Sequence, residues 1–146
     1  MTTDTTAFPG NTALPKRAGS KHVLLAEDDL MLQQLVVCVL EECRGWRVST
    51  VDSAPAVLVA ARADRPDFIL LDYRLHDGTA HEVLGAFRAD EALRDVPRIV
   101  LTGDRDPDVA ASFCREGALG VIHKPFDVAT LAERIEALLA ARGAAR

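Results

Sequence analysis

The stretch HVLLAEDD, residues 22–29, decides how the chain is read. A strand-length run, HVLLA (22–26), stops abruptly at Glu27-Asp28-Asp29. Further runs follow at WRVSTV (46–51), DFILL (67–71), RIVL (98–101) and GVIH (120–123). Most are rich in Val, Ile or Leu with little alternation. Strands buried on both faces of a parallel sheet read that way.

The segments between the runs carry the helical period. Leu32, Leu35, Val36, Val39, Leu40 and Cys43 recur at the spacing of one helix face. Val57, Leu58 and Ala61 follow a Ser53 cap with Pro55 in the first turn, and Val83, Leu84 and Phe87 mark a third helix. Asp106-Pro107 opens a fourth, with Ala110 and Phe113, closing at Gly117. Asp127 caps a fifth, with Leu131, Ile135, Leu138 and Leu139 on one face, ending near Arg142. Strand and helix in strict alternation predict an α/β, doubly wound parallel sheet of five strands with helices on both faces.

Composition sets outer bounds. The chain has 146 residues, 49% apolar and 27% charged, a balance fit for one globular domain. Lys plus Arg total 17 against 22 acids, for a net charge of −5, which argues against direct nucleic-acid binding by bulk charge. The longest apolar stretch, Ala54 to Ala61, contains Pro55 and is far below the about 20 residues a membrane span needs. Three cysteines without a CxxC pair suggest a reducing compartment, so a soluble, cytoplasmic protein is expected. Residues 1–20, with five Thr, two Pro and two Gly, read as a flexible tail; 21–142 read as the domain and 143–146 as a short tail.

Ligands of such sheets bind beyond the carboxyl ends of the strands. There the first run delivers Glu27 and Asp28, the third Asp72, the fourth Thr102-Gly103-Asp104, and the fifth Lys124-Pro125-Phe126. Three carboxylates brought close repel one another unless cations join them. Lys124 supplies one charge, and a hard divalent ion, Mg²⁺ or Mn²⁺, would supply the rest. Glycine-rich phosphate loops of the GxGxxG or GxxxxGK[ST] type are absent, which weakens nucleotide and dinucleotide readings. An aspartate beside Mg²⁺, faced by a lysine and a threonine, is equipped for phosphoryl transfer.

The stretches LLAEDD (24–29), PDFILLDYRLHDG (66–78), RIVLTG (98–103) and HKPF (123–126), in that order, resemble the receiver domain of two-component response regulators. The resemblance implies a flavodoxin-like (βα)5 fold with strand order 2-1-3-4-5. It implies that Asp72 accepts a phosphoryl group from a phosphohistidine on a histidine kinase or histidine phosphotransfer protein. Asp28, Asp72 and the Arg74 main-chain carbonyl would hold the metal, with Glu27 acting through water. Lys124 and Thr102 would contact the phosphoryl oxygens, Gly103 would leave room for them, and the Lys124–Pro125 bond would be cis. Arg74 and Asp104 stand where the family tunes hydrolysis of the acyl phosphate. Such a protein is no conventional enzyme: it catalyses its own phosphorylation and slow autodephosphorylation, and signals to a downstream protein target. The family's usual output surface is helix 4, strand 5 and helix 5. In the family that face can also form a homodimer.

Three departures from the family stand out. The loop DYRLHDG is short, Val121 replaces an aromatic three residues before the lysine, and no output domain follows, so a stand-alone receiver is expected. A phosphorylation-independent pseudo-receiver adaptor is the alternative, opposed by the retained charge cluster. A phosphatase of the haloacid-dehalogenase type would need an acid two residues after its nucleophile, where Arg74 stands. Cys38, Cys43 and Cys114 are expected to pack, Trp46 to pack where the second strand begins, His81 to lie on a helix surface, and Asp104, Asp106 and Asp108 to serve as loop and cap residues.

Overall fold

Five strands, β1 (His22–Ala26), β2 (Arg47–Val51), β3 (Phe68–Asp72), β4 (Arg98–Thr102) and β5 (Gly120–His123), pair in parallel in the order β2-β1-β3-β4-β5. This is the doubly wound order expected from the resemblance. The computed structural model describes residues 20–144, so most of the expected N-terminal tail and the last two residues lie outside the described residues. Every residue of β1, β3 and β4 is buried, which accounts for runs that lack alternation.

Helices α1 (Leu30–Arg44) and α5 (Val128–Ala144) cover one face of the sheet. Val23 and Leu25 of β1 meet Val36 and Leu40 of α1 and Leu131 and Ile135 of α5 in that core. Helices α2 (Ala54–Ala63), α3 (Ala80–Arg88) and α4 (Pro107–Arg115) cover the other face, where Leu24 and Ala26 join Val57, Val83, Leu84, Phe87 and Phe113. The period-two alternation of a strand thus feeds two separate cores. Trp46 is buried and sets its ring edge-on to Phe68 at 5.6 Å, as expected of a packing residue.

Caps fix where the helices start. The Asp29 carboxylate accepts the Leu32 N–H, Ser53 Oγ accepts that of Ala56, and the Asp106 carboxylate accepts that of Asp108. Gly45 closes α1 in the left-handed conformation, φ 68°, where a side chain would be strained. Arg44 of α1 grips Glu136 of α5 through two 3.0 Å hydrogen bonds.

Several expectations need correction. The buried stripe of α1 is Leu32, Val36, Val37 and Leu40, whereas Leu35 is 47% exposed and Cys43 is exposed. Leu35 lies about 100° around the helix from Val36, on the flank beside the contact stripe. Cys38 and Cys114 are exposed too, so none of the three cysteines serves as a core residue. Helix α5 runs to Ala144, two residues past the expected end at Arg142, because the alanine-rich sequence continues the helix and Gly143 does not stop it.

The short loop after Asp72 is ordered by its own ladder. Arg74–Leu75 pairs antiparallel with Gly78–Thr79 around Asp77, which takes φ 59°. The His76 backbone then docks on the start of α2: its N–H donates to the Asp52 carbonyl and its carbonyl accepts from the Ala54 N–H.

Candidate functional site

Parallel pairing converts the strand ends into one edge. Ala26 lies level with Leu71, Asp72 with Leu101, and Thr102 with His123. Backbone bonds carry the ladders one residue further, from Glu27 N–H to the Val51 carbonyl, Tyr73 to Leu101, and Lys124 to Thr102. Glu27, Asp72, Thr102 and Lys124 are therefore set side by side by register alone.

The side chains converge as the sequence reading expected. Carboxylate oxygens of Glu27, Asp28 and Asp72 lie within 4.8 Å of one another. The Lys124 ammonium reaches both buried acids, at 3.0 Å from Asp72 Oδ1 and 3.1 Å from Glu27 Oε1. Glu27 is almost fully buried, and its Oε2 accepts the Asp29 N–H. Gln33 of α1 donates to the Glu27 carbonyl, a support that spacing alone did not single out. Asp28 is exposed at the rim. The Lys124–Pro125 peptide is cis.

Burial pushes the Glu27 carboxyl above its ordinary range. The Asp29 N–H and Lys124 oppose that rise, while the Asp72 charge adds to it. Burial alone would lower the Lys124 pKa. Its hydrogen bond to Asp72, with the charges of Asp72 and Glu27, turns the net shift upward. The ammonium therefore stays charged, and one cation faces three carboxylates. An oxygen-rich donor set in excess of its cation suits a small hard divalent ion, so the residues present fit the Mg²⁺ that the sequence reading called for.

Beside this cluster opens a depression of about 390 Å³ lined by Asp72, Tyr73, Arg74, Thr102, Gly103, Asp104 and Lys124. It contains the acceptor, the hydroxyl and the ammonium singled out from the sequence. Thr102 Oγ1 accepts the Asp104 N–H at 3.1 Å, which shapes the loop after β4. A Cβ built on Gly103 would meet nothing within 4 Å, so its backbone leaves the rim open. Arg74 is exposed, with its guanidinium 5.7 Å from the Tyr73 ring centre. Asp104 and Asp106 do cap and loop work, each accepting an N–H two residues on. Val121 is half-buried against the core on the α3–α4 face.

A further residue was misplaced by the sequence reading. His81 is no plain surface residue: it is half-buried, stacked on Phe113 of α4, and hydrogen-bonded to Glu116. Nothing in its local spacing could show this, because the partner belongs to the next helix.

Comparison with known proteins agrees with this geometry. The response regulator receiver domain model matches residues 23–136. The chemotaxis protein CheY of Pseudomonas aeruginosa is 25% identical over 78% of this chain and 92% of its own length. The transcriptional regulatory protein CseB of Streptomyces coelicolor is 34% identical over 84% of this chain but only 50% of its own length. The chain spans about half the length of the transcriptional regulators it matches. Among solved structures, the chemotaxis response regulator CheY4 of Vibrio cholerae superposes with a TM-score of 0.77 at 26% identity, over 82% of this chain and 98% of that one. Among the described residues, no helix is long and apolar enough to cross a membrane.

Proposed function

Since the chain belongs to the response regulator receiver family, we propose that it accepts a phosphoryl group on Asp72 from a histidine kinase or histidine phosphotransfer protein, in a Mg²⁺-dependent reaction. The observation that carries this reading is the Lys124 ammonium set between Asp72 and Glu27, with Asp28 close by. An Asp72 carboxylate oxygen attacks the phosphorus of the phosphohistidine. The P–O bond forms as the P–N bond breaks, and the imidazole leaves with its electron pair. Lys124 neutralises charge on the transferring group, and the Thr102 hydroxyl donates a hydrogen bond to it. The ion would be held by Asp28, Asp72 and the Arg74 carbonyl, with Glu27 behind them, and would supply charge neutralisation for phosphoryl oxygens. No general base is required, because a carboxylate nucleophile has no proton to lose in the transfer.

The modified form would then signal by shifting a pre-existing equilibrium of surface conformations toward the one a downstream protein binds. Intact-mass spectrometry after incubation with acetyl phosphate, with and without Mg²⁺, tests the chemistry. The expected result is one added phosphoryl group that requires both Mg²⁺ and Asp72 and is lost in Asp72→Asn. A folded chain left unmodified by acetyl phosphate and by phosphohistidine donors alike would instead assign it to phosphorylation-independent adaptors.

A further inference from the structure

Helix α4 is anchored to the body of the protein chiefly by one ring, with Val109 packed partly buried against the same core. Of its nine residues only Phe113 is buried, against four in α3 of equal length. A nine-residue helix is too short to persist on its own, so its place depends on what grips that side chain. Two rings grip it. His81 of α3 stacks on Phe113 with centres 4.8 Å apart and planes inclined at 25°. Tyr73 meets Phe113 at 5.6 Å and 64°, and meets His81 at 5.6 Å and 88°. The three rings form a closed triangle joining the end of β3, the start of α3 and the last turn of α4.

Each corner of the triangle is tied down differently. Tyr73 is covalently next to Asp72 and lines the depression beside it. The Tyr73 carbonyl accepts the Ala80 N–H at 2.9 Å, fixing the first turn of α3. At the next residue, His81 Nδ1 lies 2.6 Å from Oε1 of Glu116, the residue that closes α4. A carboxylate only accepts, so Nδ1 is the donor, and the bond clamps the end of α4 to α3. Val121 on β5 has no ring to contribute, and packs against the same core as Phe113.

We propose that His81 is a positioning residue that couples the state of Asp72 to the placement of α4, through the Tyr73–His81–Phe113 triangle and the bond to Glu116. The proposal rests on the phosphoacceptor reading of Asp72. A phosphoryl group added at Asp72 occupies the depression that Tyr73 helps to line. Rings packed in mutual contact, stacked or edge-on, do not deform continuously. A shift of Tyr73 therefore moves His81 and Phe113 together, and α4 with them.

Hydrogen–deuterium exchange of residues 107–116 in the full chain tests this, read with and without acetyl phosphate and Mg²⁺, with intact mass taken on the same samples. In the wild type, a gain of one phosphoryl group accompanies a change in α4 exchange. In His81→Leu the gain of mass persists and the modification-dependent change in α4 is lost. His81→Phe, which keeps a ring but cannot bond Glu116, and Glu116→Gln retain part of it. A purely structural role would raise α4 exchange equally in both states and leave the difference between them intact. An unchanged difference in phosphorylated His81→Leu and His81→Phe would overturn the proposal alone. Absence of any mass gain in the wild type with acetyl phosphate and with phosphohistidine donors alike would overturn the phosphoacceptor reading and the proposal with it.

Discussion

The two ends of the sheet are both concave and both charged, yet their charges are arranged oppositely. At the carboxyl ends the depression holds about 390 Å³, and at the amino ends a hollow between Lys21, Arg65, Asp95 and Arg142 holds about 310 Å³. Concavity therefore does not distinguish them. At the amino end the polar groups are spent on the fold. The Asp67 carboxylate accepts the His22 N–H, Arg47 pairs with Asp64, and Arg98 donates to the carbonyls of Arg94 and Val96. At the carboxyl end three carboxylates crowd together and one ammonium pairs with two of them. A cluster left short of cations is a poor way to stabilise a chain and a good way to hold an ion and a phosphoryl group.

Substitutions at the two ends should therefore separate activity from stability. The largest effect is expected for Lys124→Met. The rate of Asp72 phosphorylation by acetyl phosphate, followed by mass, should fall about 10²–10³-fold, the usual cost of losing one charge-stabilising group. Arg98→Met at the other end should do the reverse. Arg98 is nearly fully buried, and its loss strands the buried Val96 carbonyl at about 1–3 kcal/mol, besides releasing the part-buried Arg94 carbonyl. Urea unfolding should show that loss, while phosphorylation per folded molecule stays at the wild-type rate. Equal effects of both variants on both readouts would erase the contrast.

A smaller, pH-dependent effect sharpens it. Burial, assisted by Arg47, lowers the His22 pKa below its ordinary 6.5, against the opposing pull of Asp64. The unfolded chain then binds the proton more readily than the folded one. The stability this neutral imidazole contributes is complete above pH 6.5 and is lost as pH falls through the folded pKa. Glu27, whose pKa is raised above 4.5, works in the opposite sense: its contribution is complete below pH 4.5 and lost as pH rises through its folded pKa. Thermal melts from pH 7 downward should show a loss of stability that His22→Gln flattens. The smallest effect belongs to the exposed Arg47–Asp64 pair, where Arg47→Ala should cost no more than about 1 kcal/mol in the same melts.

Strands and site residues were legible in the sequence for one shared reason. A strand buried on both faces has an unbroken apolar run, so its end is marked by the first polar residue, and in this architecture that residue faces the ligand. Asp72 and Thr102 are such residues, and Lys124 follows β5 directly. Relations between neighbouring elements were harder to read. The helical period of α1 was plain, but whether Leu35 or Val37 joined the core depended on how the helix rolls against β1 and α5. The partnership of His81 with Glu116 depended on α3 and α4 lying side by side. The docking of His76 on Asp52 and Ala54 depended on two loops far apart in the chain. Each is a tertiary fact without a local signature.

The strand order also bears on when the chain becomes competent to signal. No strand of the five-stranded sheet pairs with its sequence neighbour by a hairpin: β1 must wait for β3, some forty residues later, before it is enclosed on both sides. Such non-local pairings form slowly, against the entropy of closing long loops. Glu27, Asp72, Thr102 and Lys124 come from four different strand ends and meet only when all four are docked. A nascent or partly folded chain has no assembled acceptor to offer. If Asp72 accepts a phosphoryl group as proposed, its first phosphorylation would report the completion of folding, and immature copies would stay silent.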